Sequence, residues 1–330
     1  MWLVALLPFR ALYALSDGLY FLMRHVVHYR KKVVRRNLRN SFPEKSETEL
    51  MEIERKFYRY ICDYMLEEVK MLRMSFKELC CRMEYDNKEE FLAMIERHGG
   101  IVLLIPHYAN FEWIIGMGAI MQEGDIPVQI YKPLHNRYMD AMFKRIRARF
   151  GGYNVPKHST AREIIRLCRD NKRVAVGMIT DQSPNINEAH HWTTFLNQDT
   201  GFMDGAERIA KLMDFPVFYC ELKKQRRGYC RVEFDLITET PKERVFITSS
   251  RNGYIMFLLE RCFIQKIIYI PRTIEVRMTI ADFIVTSIYH FITKVLIAIK
   301  LFPLPDTLYT SIIKISPQYI ELRSVRRGFS

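Results

Sequence analysis

The sequence predicts an α/β fold: a single catalytic domain whose central, mostly parallel sheet is flanked by helices and preceded by an N-terminal membrane-interface helix. Three observations predict it. Short apolar runs, "IVLLI" from residue 101, "VQIY" from 128, "RVAVGMI" from 173 and "FPVFYCEL" from 215, alternate with helical patterns, as strands covered on both faces do. With 330 residues, 49% of them hydrophobic, the chain has ample material for a buried core. The opening stretch is apolar along most of its circumference, with one polar stripe. The organisation that follows is an apolar anchor with a basic juxtamembrane segment over 1–40, a catalytic domain over 41–243 and an atypical segment over 244–330.

"MWLVALLPFRALYALSDGLYFLM" is interrupted by Pro8, Arg10 and Asp17, which argues against an unbroken spanning helix of about 20 residues. As a helix it places Arg10, Asp17 and Arg24 seven apart, with Tyr13, Ser16 and Tyr20 beside them. That geometry suits a helix lying in the membrane interface with its apolar side down. A cleaved signal peptide fits less well, because the positive charge follows the apolar run and no small-x-small site appears.

Arg24, Arg30, Lys31, Lys32, Arg35, Arg36 and Arg39 then come without an acidic residue between them. Such a cluster beside an apolar anchor attracts anionic headgroups, at roughly 1 kcal/mol per charge. A solvated basic helix docking on the protein's own core is the competing reading. The formal net charge of +13 calls for an anionic partner in general; no helix-turn-helix or finger spacing accompanies it, so nucleic acid is not expected. The seven cysteines form no CxxC pair, which favours thiols in a reduced compartment over a structural zinc site.

After "NSFPEKSETE", the Ser46 to Glu49 capping pattern announces a helix, and residues 48–72 carry helical apolar spacing. Further on, polar groups stand just beyond strand candidates: His107 after the first, Lys132 after the second, Asp181 and Gln182 after the third. Ligand chemistry in α/β folds gathers at such carboxyl ends, so these groups are expected to share a cleft.

"IPHYANFEW" places His107 five positions before Glu112. The two do not share a face of a regular helix. Across a strand-to-helix turn, however, the glutamate of the first helical turn is expected to reach back to the imidazole, fix its tautomer and stabilise the imidazolium. This is the logic of a general base. No serine or cysteine stands beside the pair as a nucleophile, so the expected role is to deprotonate a substrate hydroxyl directly. A histidine satisfied within the core is the competing reading of the spacing.

Several blocks resemble one family, the late acyltransferases of lipid A biosynthesis within the lysophospholipid acyltransferase superfamily. "HYANFEW" looks like its His-x4-Asp/Glu block, "VVRRNLRNSFPEKS" like its N-terminal block and "IYKPLHNRYMDAMFKRIRARFGG" like its middle block. "TDQSPN" falls where the family has an Asp-Gln pair, and "GAERIAKLMDFPVF" looks like the block ending in a Pro-Val strand. The resemblance covers roughly residues 5–240. It implies acyl transfer from a thioester, acyl-acyl carrier protein or acyl-CoA, to a hydroxyl of a glycolipid acceptor at the cytoplasmic face of a bacterial inner membrane. His107 and Glu112 would be catalytic, and Arg145, Arg149, Asp181, Gln182, Lys132 and Asn110 substrate-binding. Direct attack needs no covalent intermediate, cofactor or metal. The partners it implies are the carrier protein, the anionic membrane surface and the acceptor lipid.

Arg145 and Arg149 lie four apart on the helix read from "NRYMDAMFKRIRARF", opposite Met139, Met142, Phe143, Ile146 and Phe150. A guanidinium pair suits phosphate and is favoured here over Arg147; a solvated basic face is the alternative. Asp181 has a helix N-cap as its competing role. His190 and His191 are read as loop residues, since adjacent side chains point apart and no third ligand has suitable spacing. Met117, Met121, Met139 and Met142 suit either core or an acyl tunnel.

After about residue 243 the chain changes character. Isoleucine occurs 17 times in the last 87 residues and 17 times in the first 243, and no tryptophan follows Trp192, so the family's tryptophan-rich terminal block is missing. A diverged appendage, a second membrane-associated region and a change of reading frame each fit, the last one best. Two other functions remain open on the sequence: a lipid-ester hydrolase using the same dyad, and a non-catalytic basic membrane-binding protein.

Overall fold

The protein is described here from a computed structural model over residues 1–134, 136–181, 189 and 191–243. Gln182, His190 and the segment 244–330 lie outside the described residues, as do the side chains of Met139 and His191. The chain divides into two compact units, Met1–Glu275 and Val276–Ser330; every described residue belongs to the first.

The first hundred residues are mainly helical: α1 (Trp2–Leu6), α2 (Phe9–Phe21), a π-helical turn over Leu22–Val26, α3 (Lys31–Ser41), α4 (Glu47–Lys70) and α5 (Phe76–Cys80). The expected cap of α4 is present in both halves. The Ser46 hydroxyl accepts the Glu49 N–H at 3.3 Å and the Glu49 carboxylate accepts the Ser46 N–H at 2.9 Å, so two of the helix's orphan donors are satisfied reciprocally.

Tyr13 and Ser16 of the polar stripe of α2 face inward, while Arg10 and Asp17 are exposed. The Tyr13 hydroxyl donates to Glu67 Oε1 at 2.7 Å, and Ser16 Oγ to Asp63 Oδ1 at 2.7 Å, both acceptors being on α4. Trp2, Leu3, Leu6, Leu15, Phe21 and Val26 are left exposed, Leu3 at 81%. A run of exposed large apolar side chains marks a contact surface rather than a solvated face. No helix among the described residues is long and apolar enough to cross a membrane. Part of the basic run docks on the protein itself: Arg35 pairs with Glu54 and Arg39 with Glu47, each at 2.7 Å, while Lys32 and Arg36 are exposed.

The α/β part follows as β1 (Met83–Tyr85), α6 (Lys88–His98), β2 (Gly100–Ile105), a 3-10 helix over Phe111–Ala119, β3 (Ile126–Tyr131), α7 (Arg137–Ala148), β4 (Tyr153–Pro156), α8 (Thr160–Arg169), β5 (Val174–Ile179), the hairpin β6 (His191–Phe195) and β7 (Gln198–Phe202), α9 (Gly205–Met213), β8 (Val217–Arg226) and β9 (Tyr229–Thr238). The main sheet has the order β1-β9-β8-β2-β5-β3-β4. Its pairings are parallel except for β8 with β9. This is the mostly parallel sheet flanked by helices that the alternating runs predict. Beneath it lies a core of Val102, Leu104, Val128, Val174, Val176 and Val217, with Ile164 and Leu167 of α8 and Ala206 and Ala210 of α9.

The "GG" at 99–100 serves two needs. Gly99, at φ 71°, ends α6 in the left-handed conformation that glycine adopts without a Cβ penalty. At Gly100 a Cβ would lie 2.5 Å from Phe215 Cζ, so β2 can enter the sheet only with its side chain absent.

Candidate active site

Strand register builds the centre of the site. β2 and β5 pair in parallel with Ile105 opposite Ile179. The residues two places beyond each strand end, His107 and Asp181, therefore emerge side by side at the carboxyl edge of the sheet, where open α/β folds hold their ligands. His107 Nδ1 is 2.6 Å from Asp181 Oδ1, and the His107 backbone N–H donates to Asp181 Oδ2 at 2.8 Å. One carboxylate thus fixes both backbone and ring. The His107 and Asp181 side chains are only 7% and 4% exposed. With Nδ1–H donated to a carboxylate, Nε2 is the basic nitrogen of the neutral ring.

The chain between His107 and Glu112 turns through Ala109, which sits at φ 50°. For a residue with a Cβ this costs of order 1–2 kcal/mol, and backbone strain of this kind collects at functional sites. Two bonds from α4 hold the turn: the Tyr60 hydroxyl donates to the Ala109 carbonyl at 2.7 Å, and Asn110 Nδ2 donates to Glu67 Oε2 at 2.7 Å. Aromatic rings continue the support. Tyr60 stacks on Tyr64 and Tyr64 on Phe111, whose ring meets the His107 ring edge to face at 4.7 Å between centroids.

Glu112 does not reach the His107 ring as its spacing predicts. Its carboxylate takes two bonds from Arg147, Nε at 3.0 Å and Nη2 at 2.5 Å. The reason is geometric: the left-handed step at Ala109 leads into a 3-10 helix, and the nonlocal register of β2 with β5 delivers Asp181 to the ring first. The Glu112–Arg147 pair is largely buried. Burial disfavours the Arg147 cation, yet the field and hydrogen bonds of Glu112, with Glu68 and Tyr64 nearby, hold its pKa above the ordinary guanidinium value.

Arg147, rather than Arg145 or Arg149, is the α7 arginine at this site. Phe143, Ile146 and Phe150 are buried, and Arg147 lies on the same side of the helix as these three. An arginine set into an apolar helical stripe is the signal that marks it. Arg149 lies past the end of α7 and donates to the carbonyls of Met71, Leu72 and Met74 at 2.9, 2.7 and 3.2 Å, so it ties the end of α4 in place. Arg145 is exposed, and Lys132 is exposed one residue beyond β3 on the same sheet edge. Asn110 is 3% exposed, with its amide nitrogen committed to Glu67.

Glu68 is missed by the local spacing. It is 3% exposed, and neither of its carboxylate oxygens has a hydrogen-bond partner among the described residues. Burial first, then repulsion from Glu112, raises its pKa well above the carboxylate range against the pull of Arg147. The site therefore favours its neutral form over the carboxylate. The sequence signal is its position four residues after Tyr64 on the buried side of α4.

Taken together, these groups form an oriented imidazole beside a second, charge-balanced pair. Such an arrangement can accept a proton from a hydroxyl and stabilise the imidazolium that results. Among known families, bacterial lipid A biosynthesis acyltransferase matches residues 1–244. No curated protein is similar enough to the chain to match it.

Proposed function

Because the chain belongs to the bacterial lipid A biosynthesis acyltransferase family, we propose that this acyltransferase moves a fatty acyl chain from acyl-acyl carrier protein to a hydroxyl of a lipid A precursor at the cytoplasmic face of the inner membrane. His107 Nε2 takes the hydroxyl proton as the acceptor oxygen attacks the thioester carbonyl. The new C–O bond forms, the C–S bond breaks, and the imidazolium returns its proton to the leaving thiolate. Asp181 holds the ring and stabilises its charged form, as the carboxylate of a catalytic triad does. Glu112, gripped by Arg147, is a second catalytic-site carboxylate that sets the field around the turn. Backbone amides at the start of the 3-10 helix supply donors for the oxyanion.

Arg145 and Lys132, both exposed, suit a phosphate of the lipid headgroup or of the donor's arm. Asn110 and Arg149 spend their donors within the protein, Asn110 on Glu67 beside the catalytic turn and Arg149 on the segment after α4. The exposed apolar face of α1 and α2, with the exposed cations Arg10, Lys32 and Arg36, supports peripheral attachment to an anionic membrane. No cofactor is needed for this chemistry.

The observation that carries the proposal is the His107–Asp181 pair at adjoining strand ends. It is tested by incubating the purified protein with labelled acyl-acyl carrier protein, with and without lipid A precursor. Label in the lipid, lost in His107→Ala, supports transfer. Free fatty acid released without acceptor would instead mark a hydrolase, and acyl-CoA in place of the carrier protein tests the donor.

A further inference from the structure

Glu67 stands between two parts of the protein that the reaction must keep in step. Its Oε1 accepts the Tyr13 hydroxyl of α2 at 2.7 Å, and its Oε2 accepts Nδ2 of Asn110 at 2.7 Å. Tyr13 belongs to the helix that turns its apolar face outward; Asn110 opens the 3-10 helix and lies three residues from His107. Glu67 itself is 6% exposed, so water does not readily replace either partner. Burial raises its pKa, and the two hydrogen bonds oppose the rise.

We propose that Tyr13, Glu67 and Asn110 form a positioning relay that couples the seating of the apolar N-terminal helix to the geometry of the catalytic turn. The inference rests on the reading of His107 as the general base. A carboxylate held at both oxygens has one orientation. When the Tyr13 bond is lost, Glu67 is free to rotate, Asn110 loses its fixed acceptor, and of the two hydrogen bonds from α4 to the strained turn only that of Tyr60 stays fixed. A displacement of about 1 Å at reacting atoms is enough to cost up to about 100-fold in rate. None of the three residues touches the reacting atoms, so each acts through His107 and Glu112.

The test is a double-mutant cycle read in kcat, using the full chain, acyl-acyl carrier protein and lipid A precursor in anionic vesicles. Tyr13→Phe is expected to lower kcat about fivefold and Glu67→Gln about tenfold, with KM for the donor within about twofold of wild type. Because the relay is serial, the double variant falls no further than Glu67→Gln. Ser16→Ala is the control: it removes another 2.7 Å bond between α2 and α4, to Asp63, without a link to the turn, and is expected to keep the wild-type kcat.

Losses that multiply in the double variant, a wild-type kcat in Tyr13→Phe, or an equal loss in Ser16→Ala would each overturn the relay. A wild-type protein that transfers no acyl group would overturn the parent reading, and the relay with it. An active wild type with multiplying losses overturns the relay alone.

Discussion

The carboxylate of Asp181 holds His107 twice, at the ring nitrogen Nδ1 at 2.6 Å and at the backbone N–H at 2.8 Å. A residue 74 positions away in sequence thus does what the neighbouring Glu112 is spaced to do. Asp181→Asn keeps the shape but lets the imidazole take the wrong tautomer. It is expected to lower kcat by about 10²–10⁴ with little change in KM for the donor. A raised KM with an unchanged kcat would show that Asp181 binds substrate instead.

Removing either member of the Glu112–Arg147 pair leaves the other buried and uncompensated. Arg147→Ala is therefore expected to cost about 3–5 kcal/mol of stability, measured by urea unfolding. Arg149→Ala loses bonds to three carbonyls and is expected to cost about 1–3 kcal/mol with kcat retained. Arg145→Ala removes an exposed side chain, should change stability by no more than about 0.5 kcal/mol, and is expected to raise KM for a phosphate-bearing substrate.

Glu68 gives stability a pH dependence of defined sign. Its native pKa lies well above its ordinary 4.5, so the native state binds its proton more tightly than the unfolded chain does. The associated stability is fully present below about pH 4.5 and is lost as pH rises towards the native value. Glu68→Gln has no such slope. Its stability relative to wild type should grow by about 1.4 kcal/mol per pH unit across that window, as read from urea midpoints at several pH values. A difference that does not change with pH would mean that Glu68 is ionised in the native state.

Membrane attachment is expected to depend on the exposed apolar residues. Leu3→Glu and Phe21→Glu, singly and together, should reduce sedimentation with anionic vesicles, because each loses about 2–3 kcal/mol of apolar burial and adds a repelled charge. Thermal stability should be unaffected, since neither side chain is buried. Raising salt should weaken binding of the wild type without abolishing it. Unchanged sedimentation in the double variant would place the attachment elsewhere.

The sequence makes the interior strands plain, because β2, β3, β5 and β8 are apolar runs that need no partner to be recognised. The Ser46 cap and the helix beginning at Arg137 are equally local. β1 has three residues and β4 has four, too few for a period to show. β9 does alternate, burying Cys230, Val232 and Phe234 between Arg231, Glu233 and Asp235, and so carries a signal of its own. The polar groups at strand ends mark the site, but which carboxylate meets the imidazole depends on the register of strands some seventy residues apart. No spacing within "HYANFEW" contains that register. Arg147 and Glu68 are marked only by standing where a buried apolar side chain would.

Arg227, in the turn between β8 and β9, bonds both Asp17 of α2 and Asp63 of α4, the former across 210 positions. During synthesis the polar stripe of α2 therefore waits for its last partner until most of the described chain has been made. Under the proposed attachment, the apolar side has lipid available to it before the polar side has Arg227, so the last bonds of the stripe are closed from the β8–β9 turn.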